Sequence, residues 1–310
     1  MTTRTALLPF GVYLAATLPI ALGYATNSGV LGLLLALTHL ALAWVLLGFK
    51  LPWGFSDGAG PEPVTMVEGG PKNRAEREEW LAWLPILLIP LLYWELPFLS
   101  QLLGQGYGDG WVRLLEGKVF PGDPSANMAG EYPWPFLSEG LHLAYLSYYP
   151  LIVLPPLFLW IKGSRSLFRE SVFRLSLTFT ICFVIYVLFP VEGPRYGGVP
   201  PVGIPAGDVR GWVLAILESG SARGSAFPSS HVAVAVTQSL FLLTRWKWVG
   251  IGALCLSIGL GVGAVYGGFH YGVDALAGAA LAFVLFFIVE KGSRLRSGGH
   301  SGTTLPSRTF

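Results

Sequence analysis

Hydrophobic residues in this chain come in long unbroken runs. They follow neither the i, i+3, i+4 spacing of a surface helix nor the alternation of a half-buried strand. Residues 5–49 contain no Asp, Glu, Lys or Arg, which makes 45 consecutive positions without a formal charge. About 20 apolar residues cross the roughly 30 Å of bilayer hydrocarbon, so this stretch predicts two spans and a turn. Along the whole chain, apolar runs between charge clusters predict eight spans, near 6–25, 29–48, 80–103, 140–161, 172–190, 228–245, 248–267 and 270–289. The expected fold is all-α, a polytopic membrane helical bundle.

The polar segments divide this pattern. Residues 1–49 form two N-terminal spans, and 50–79, rich in Gly, Pro and charge, reads as a linker. Residues 80–290 form a six-span core, and 291–310 a basic Gly/Ser-rich tail expected to be disordered. No internal repeat points to an inverted-repeat transporter. The first run resembles a signal peptide in length but lacks an A-x-A site and meets a second apolar run at once, so an uncleaved anchor is expected. With eight spans, 14 of the 20 Lys and Arg fall on the side holding both termini and 5 on the other, with Arg174 inside the fifth span. The positive-inside rule then puts both termini in the cytoplasm and loops 104–139 and 191–227 outside.

Composition agrees with a membrane protein: 53% of residues are apolar and 12% charged, against about 25% charged in soluble domains. Disorder, collagen-like repeats and a disulfide-stapled secreted scaffold are excluded. A net charge of +2 without a Lys/Arg stripe gives no reason to expect nucleic acid. Cys182 and Cys255 fall in apolar runs and read as small core residues.

Ionisable groups inside spans are costly and need a reason. His231 begins the sixth span in Phe227-Pro228-Ser229-Ser230-His231, and His270 begins the eighth, four residues before Asp274. Arg195 follows the fifth. Alternating span direction brings all three to the same outer face. The His270–Asp274 spacing places both on one helix face, where the carboxylate orients the ring and makes it a better nucleophile. Pro228, Ser229 and Ser230 read as a helix start, which favours an anion. A phosphate there would meet His231 as proton donor and Arg195 as clamp, with Arg223 of the same loop as a further candidate cation. That set describes phosphoryl transfer. No Asp/Glu/His cluster has metal-ligand spacing, so neither metal nor cofactor is expected. Each residue also has a bland reading: His270 and Asp274 as an interfacial pair, His231 as a helix-start residue, Arg195 as a snorkelling anchor and Arg223 as a solvated loop residue. His39 and His142 have no carboxylate at helical spacing and read as packing residues. Glu95, inside the third span, must be paired or protonated.

At these residues the sequence resembles the phosphatidic acid phosphatase type 2 superfamily, whose blocks are K-x6-R-P, P-S-G-H and S-R-x5-H-x3-D. Pro228-Ser229-Ser230-His231 matches the second, with Ser230 for glycine, and His270 with Asp274 matches the end of the third. Gly263 and Ala264 replace its Ser-Arg pair, and Leu188 stands at the lysine of the first, where Arg195 matches. These departures, with Val119-Phe120-Pro121-Gly122-Asp123-Pro124-Ser125 and Leu141-His142-Leu143-Ala144-Tyr145-Leu146-Ser147-Tyr148-Tyr149, resemble the inositol phosphorylceramide synthase-like branch. The resemblance implies a six-span phosphatase-type core in which His270 attacks phosphorus, Asp274 orients it, His231 protonates the leaving oxygen, and Arg195 with Ser229 holds phosphate, independently of divalent metals. The expected partners are a lipid phosphate or phospholipid drawn from the membrane and, for a transferase, a polyol acceptor hydrogen-bonded by Gln105, Asp109, Asp123, Asn127 and Glu131. The competing reading is a non-catalytic lipid-phosphate binder or transporter that lost two cations at Leu188 and Ala264.

Overall fold

The computed structural model describes residues 2–47, 79–104, 106–197 and 201–298. Most of the expected linker (50–78), Gln105 and residues 299–310 of the expected tail lie outside the described residues. The described chain is helical, and its one β-bridge is an isolated pair between Val191 and Ser225.

Helix α1 covers Thr3–Leu47. A straight α-helix would set Tyr13 and His39 about 39 Å apart along its axis. Yet the Tyr13 hydroxyl donates to Glu95 Oε1 at 3.0 Å, and His39 Nε2 lies 3.4 Å from the same oxygen. The helical segment therefore doubles back between these two residues, and its arms meet the rest of the bundle at one level. Glu95 thus gains the partners that sequence alone leaves unnamed, and a buried carboxylate needs such donors. α2 (Leu84–Leu102) carries Glu95, and its apolar face packs with α1 and with α7 (Arg165–Leu188) in the largest core cluster.

Two short helices follow at one end of the bundle, α3 (Asp109–Val119) and α4 (Pro124–Glu131), the latter N-capped by Asp123. The next apolar run is not one straight span. α5 (Pro135–Leu146) and α6 (Tyr148–Ile161) meet at a 40° bend. Pro150 explains the position of the break: it lacks an N–H, and its ring would clash with the carbonyl four residues earlier, that of Leu146. After α7 come the single turn α8 (Pro194–Gly197) and α9 (Asp208–Gly220). The chain ends in α10 (Ser230–Leu243), α11 (Lys247–Tyr266) and α12 (Gly272–Gly298). The last helix continues through the first eight residues of the expected disordered tail.

Among the described residues, five helical segments are long and apolar enough to cross a membrane, and the bent pair makes six, so the expected count of eight is not confirmed. α10 is one source of the difference, since its 14 residues extend only about 21 Å. Every side chain from Val232 to Leu242 is buried. A helix sheathed by protein on all sides need not reach both membrane interfaces, because its ends are satisfied by neighbouring helices. The charge that the sequence places inside the fifth span, Arg174, is paired near the end of the last helix. Buried Arg174 donates to Glu170 at 2.7 Å and to Glu290 at 2.6 Å.

Candidate active site

Three segments carry the candidate residues of the cleft. The first runs from the end of α7 through Val191 to α8. Val191 N–H donates to the Gly224 carbonyl at 3.0 Å, and its own carbonyl accepts from Ala226 N–H at 2.9 Å. Gly193 turns the chain here with φ +81°, a left-handed conformation open to glycine, and an added Cβ would sit 3.0 Å from that of Ala226. Arg195 follows on α8.

The second segment is the start of α10. Ser229 Oγ accepts from Val232 N–H at 3.4 Å as the N-cap, while Ser229 N–H donates to the Asp274 carbonyl at 2.9 Å. Ser230 N–H donates to the Tyr186 hydroxyl at 3.0 Å. Both serines are buried in these tasks and neither lines the cleft. The free N–H groups expected to receive phosphate are largely taken by protein. The third segment is the turn into α12, where the Ala264 carbonyl accepts from His270 N–H at 3.1 Å. α12 approaches α10 closely at Gly278, where a Cβ would meet the Ser229 carbonyl oxygen at 2.4 Å.

His270, His231 and Arg195 line one cleft with Tyr93, Tyr145, Glu192 and Ser225. The ring centroids of the two histidines are 5.7 Å apart. His270 Nδ1 lies 3.0 Å from the Ala226 carbonyl oxygen and 3.4 Å from Asp274 Oδ2. A carbonyl only accepts, so Nδ1 carries the proton and Nε2 is the nitrogen with a free lone pair. Asp274 Oδ2 also accepts from Tyr271 N–H at 2.8 Å. His231 sits between the two tyrosines that flank the α5–α6 break. Tyr145 stacks on it at 5.2 Å with its hydroxyl 3.3 Å from Nε2, and the Tyr148 ring centroid is 4.2 Å away.

Arg195 Nη1 is buried without a hydrogen-bond partner. A desolvated guanidinium donor without a partner has the chemistry to hydrogen-bond an anion. Arg195 is the one cation among the described residues lining the cleft. Arg223 stands at the rim, 57% exposed and paired with Glu192, and is not a lining residue. The two positions where the motifs expect further cations differ in their surroundings. Ala264 is fully buried against Tyr145, Val213 and Phe269, and Leu188 is exposed at the end of α7. A Cβ on Gly263 would lie 2.3 Å from the Leu141 carbonyl oxygen. The helix that would present the family's Ser-Arg pair is pressed against α5.

Among the described residues, the polar side chains expected to hold an acceptor (Asp109, Asp123, Asn127 and Glu131) do not line the cleft. Asp109 is buried and receives the N–H groups of Glu192 and Gly193, Asp123 caps α4, and Asn127 and Glu131 are exposed. His142 holds the Ser138 carbonyl at 2.6 Å on its own helix. Tyr93, Tyr145, Glu192 and Ser225 were not anticipated as lining groups. Only Tyr145 carried a signal, inside the Leu141–Tyr149 stretch. The cleft opens onto an apolar cavity of about 300 Å³, bounded by α2, α6, α7 and α9. Tyr93, Leu217, Ser221 and His231 line both spaces. Cys182 is buried and Cys255 exposed, and both are free thiols.

A family model described as the PAP2 superfamily matches residues 125–288, just over half of the chain. No curated protein and no solved structure matches it significantly.

Proposed function

The chain belongs to the PAP2 superfamily, and on that premise we propose that it is an integral membrane lipid-phosphate phosphatase or phosphotransferase of the inositol phosphorylceramide synthase-like branch, working at the extracytoplasmic face. Family membership supports a phosphatase-type enzyme acting on lipid phosphates. The observation that carries the lipid reading is the continuity of two spaces. A cleft holding His270, His231 and Arg195 shares four lining residues with an apolar cavity of about 300 Å³. A hydrocarbon chain in the cavity would leave its phosphate beside the histidines.

In this reading His270 Nε2 attacks phosphorus, forming a P–N bond as the bond to the leaving oxygen breaks. His231 gives that oxygen its proton. Asp274 and the Ala226 carbonyl hold the ring while positive charge develops on it. Arg195 Nη1 takes the phosphoryl oxygens. Water, or an acceptor hydroxyl, then attacks phosphorus and passes its proton to His231, now neutral, and the P–N bond breaks to regenerate His270. With Asp109, Asp123, Asn127 and Glu131 away from the cleft, the described groups available to an acceptor are the hydroxyls of Tyr93, Tyr145 and Ser225 and the Glu192 carboxylate.

Purified protein incubated with a panel of lipid phosphates and phospholipids, with and without myo-inositol, tests the proposal. Phosphate release identifies a phosphatase, and a phospho-polyol formed at its expense identifies a transferase. Neither product from any donor would leave the binder. Impermeant labelling of single cysteines introduced into loop 201–222 of intact cells tests the outward orientation, and protection there would reverse it.

A further inference from the structure

Two carboxylates on α3 are absent from the proposed chemistry, yet they are buried, Asp109 8% and Glu116 3% exposed. They lie seven residues apart, two helical turns on one face. Each is engaged by a pair of backbone N–H groups. Glu116 Oε1 accepts from Gly272 at 2.9 Å and Oε2 from Val273 at 2.8 Å, donors without intrahelical acceptors at the start of the helix that carries Asp274. Asp109 Oδ1 accepts from Gly193 and Oδ2 from Glu192, both at 2.9 Å, on the turn that delivers Arg195. The Tyr271 hydroxyl adds a bond to Asp109 Oδ1 at 3.3 Å.

We infer that α3 is a latch, and that Asp109 and Glu116 are positioning residues fixing the Arg195 turn and the His270–Asp274 segment relative to each other. Those two segments come from separate loops, and α3 bonds to both. Burying a carboxylate without a cation is unfavourable unless donors surround it, and a helix N-terminus supplies donors and a favourable dipole. Small residues stand where α3 seats. A Cβ on Gly272 would lie 2.6 Å from the Phe120 ring, and one on Gly197 2.8 Å from Asp109 Oδ1. The inference rests on the proposed reaction for its kinetic consequences, but the bonds themselves can be tested without it.

Burial raises the Glu116 carboxyl above its ordinary range, against the lowering effect of the Val273 and Gly272 N–H groups, and Asp123 adds to the rise. As pH falls, protonation removes an acceptor and loosens the latch. The other titratable groups around it are Arg113 and Asp123 beside it, and Tyr271 and Asp274 on the segment it holds. All of these remain in a Glu116→Gln variant.

The test compares the full-length wild type with Glu116→Gln and Asp109→Asn by hydrogen exchange and by kinetics on whichever lipid the wild type turns over. Glu116→Gln should speed exchange at Gly272 and Val273 but not at 191–195. It should lower kcat at least tenfold with KM within about threefold, and flatten the acid limb of the wild-type pH profile. Asp109→Asn should speed exchange at Glu192 and Gly193 and raise KM at least fivefold through Arg195. If Glu116→Gln does not fold, Glu116→Asp, which keeps the charge but withdraws the carboxylate by one methylene, should show the same loss in kcat. Wild-type exchange and kinetics in the variants would overturn the latch. If the wild type turns over no lipid, the proposed function fails while the exchange comparison still decides this inference.

Discussion

Replacing Asp274 by Asn tests how the nucleophile is held. Asp274 Oδ2 faces both the Tyr271 N–H, at 2.8 Å, and His270 Nδ1, at 3.4 Å, while Oδ1 is buried without a partner. An Asn side chain can place its oxygen at the Oδ2 position and its NH₂ at the unpartnered one, so the geometry survives and only the charge is lost. The ring keeps its tautomer as well, because the Ala226 carbonyl holds Nδ1 at 3.0 Å independently. What disappears is the attraction between a carboxylate and the positive charge that His270 acquires on attack. At 3.4 Å and an effective dielectric near 20, that attraction is about 5 kcal/mol. The neutral amide retains about 1 kcal/mol as a hydrogen bond. With partial charge at the transition state, the expected loss is about 3–4 kcal/mol, or about 100- to 1000-fold in kcat. That is less than the roughly 10⁴-fold seen where the same change also lets the histidine adopt the wrong tautomer. The assay is steady-state turnover of a lipid phosphate, with KM expected to stay within about threefold. A kcat within threefold of wild type would refute the reasoning, and a loss beyond about 10⁴-fold would show that the Ala226 carbonyl does not hold the ring.

Three further outcomes are expected. His231→Ala should slow substrates with poor leaving groups by at least tenfold more than those with good ones, because a good leaving group needs little protonation; parallel losses would remove His231 as the acid. Arg223→Ala should change kcat/KM less than threefold, since its guanidinium is exposed and paired with Glu192; a loss above tenfold would place it on the phosphate. Restoring the family arginine with Ala264→Arg should destabilise the protein rather than activate it. The site is fully buried against Tyr145, Val213 and Phe269, and overpacking of this kind costs about 1–3 kcal/mol or more. A lower thermal midpoint in detergent checks this, and a gain in kcat would contradict it.

Much of the architecture was legible because hydrocarbon thickness fixes how long an apolar run must be. The runs at 80–103, 248–267 and 270–289 correspond closely to helical segments. The bend at Ser147 was missed although Pro150 announces it, because hydropathy averages over a proline. α10 reads as a span by composition but is a short central helix, since burial in protein and burial in lipid select the same side chains. The shared location of His231, His270 and Arg195 followed from alternating direction alone. The environment of the serines did not: Ser229 and Ser230 advertise a phosphate-binding helix start, but the Asp274 carbonyl takes the Ser229 N–H, the Tyr186 hydroxyl the Ser230 N–H, and the Ser229 hydroxyl the Val232 N–H. Asp109 and Glu116 were equally hidden. On an amphipathic surface helix a carboxylate looks solvated, and only tertiary structure reveals backbone amides from residues 83 and 156 positions away.

The central claim is that His270 Nε2 forms a covalent bond to phosphorus. The direct measurement is a rapid acid-free quench of protein turning over a lipid labelled in its phosphate, followed by peptide mapping. Label should be retained on His270 as a phosphohistidine, stable to base and labile to acid, and should be absent from His270→Ala, which should also show no turnover. Turnover by His270→Ala at the wild-type rate, or label mapped to another residue, would contradict the mechanism.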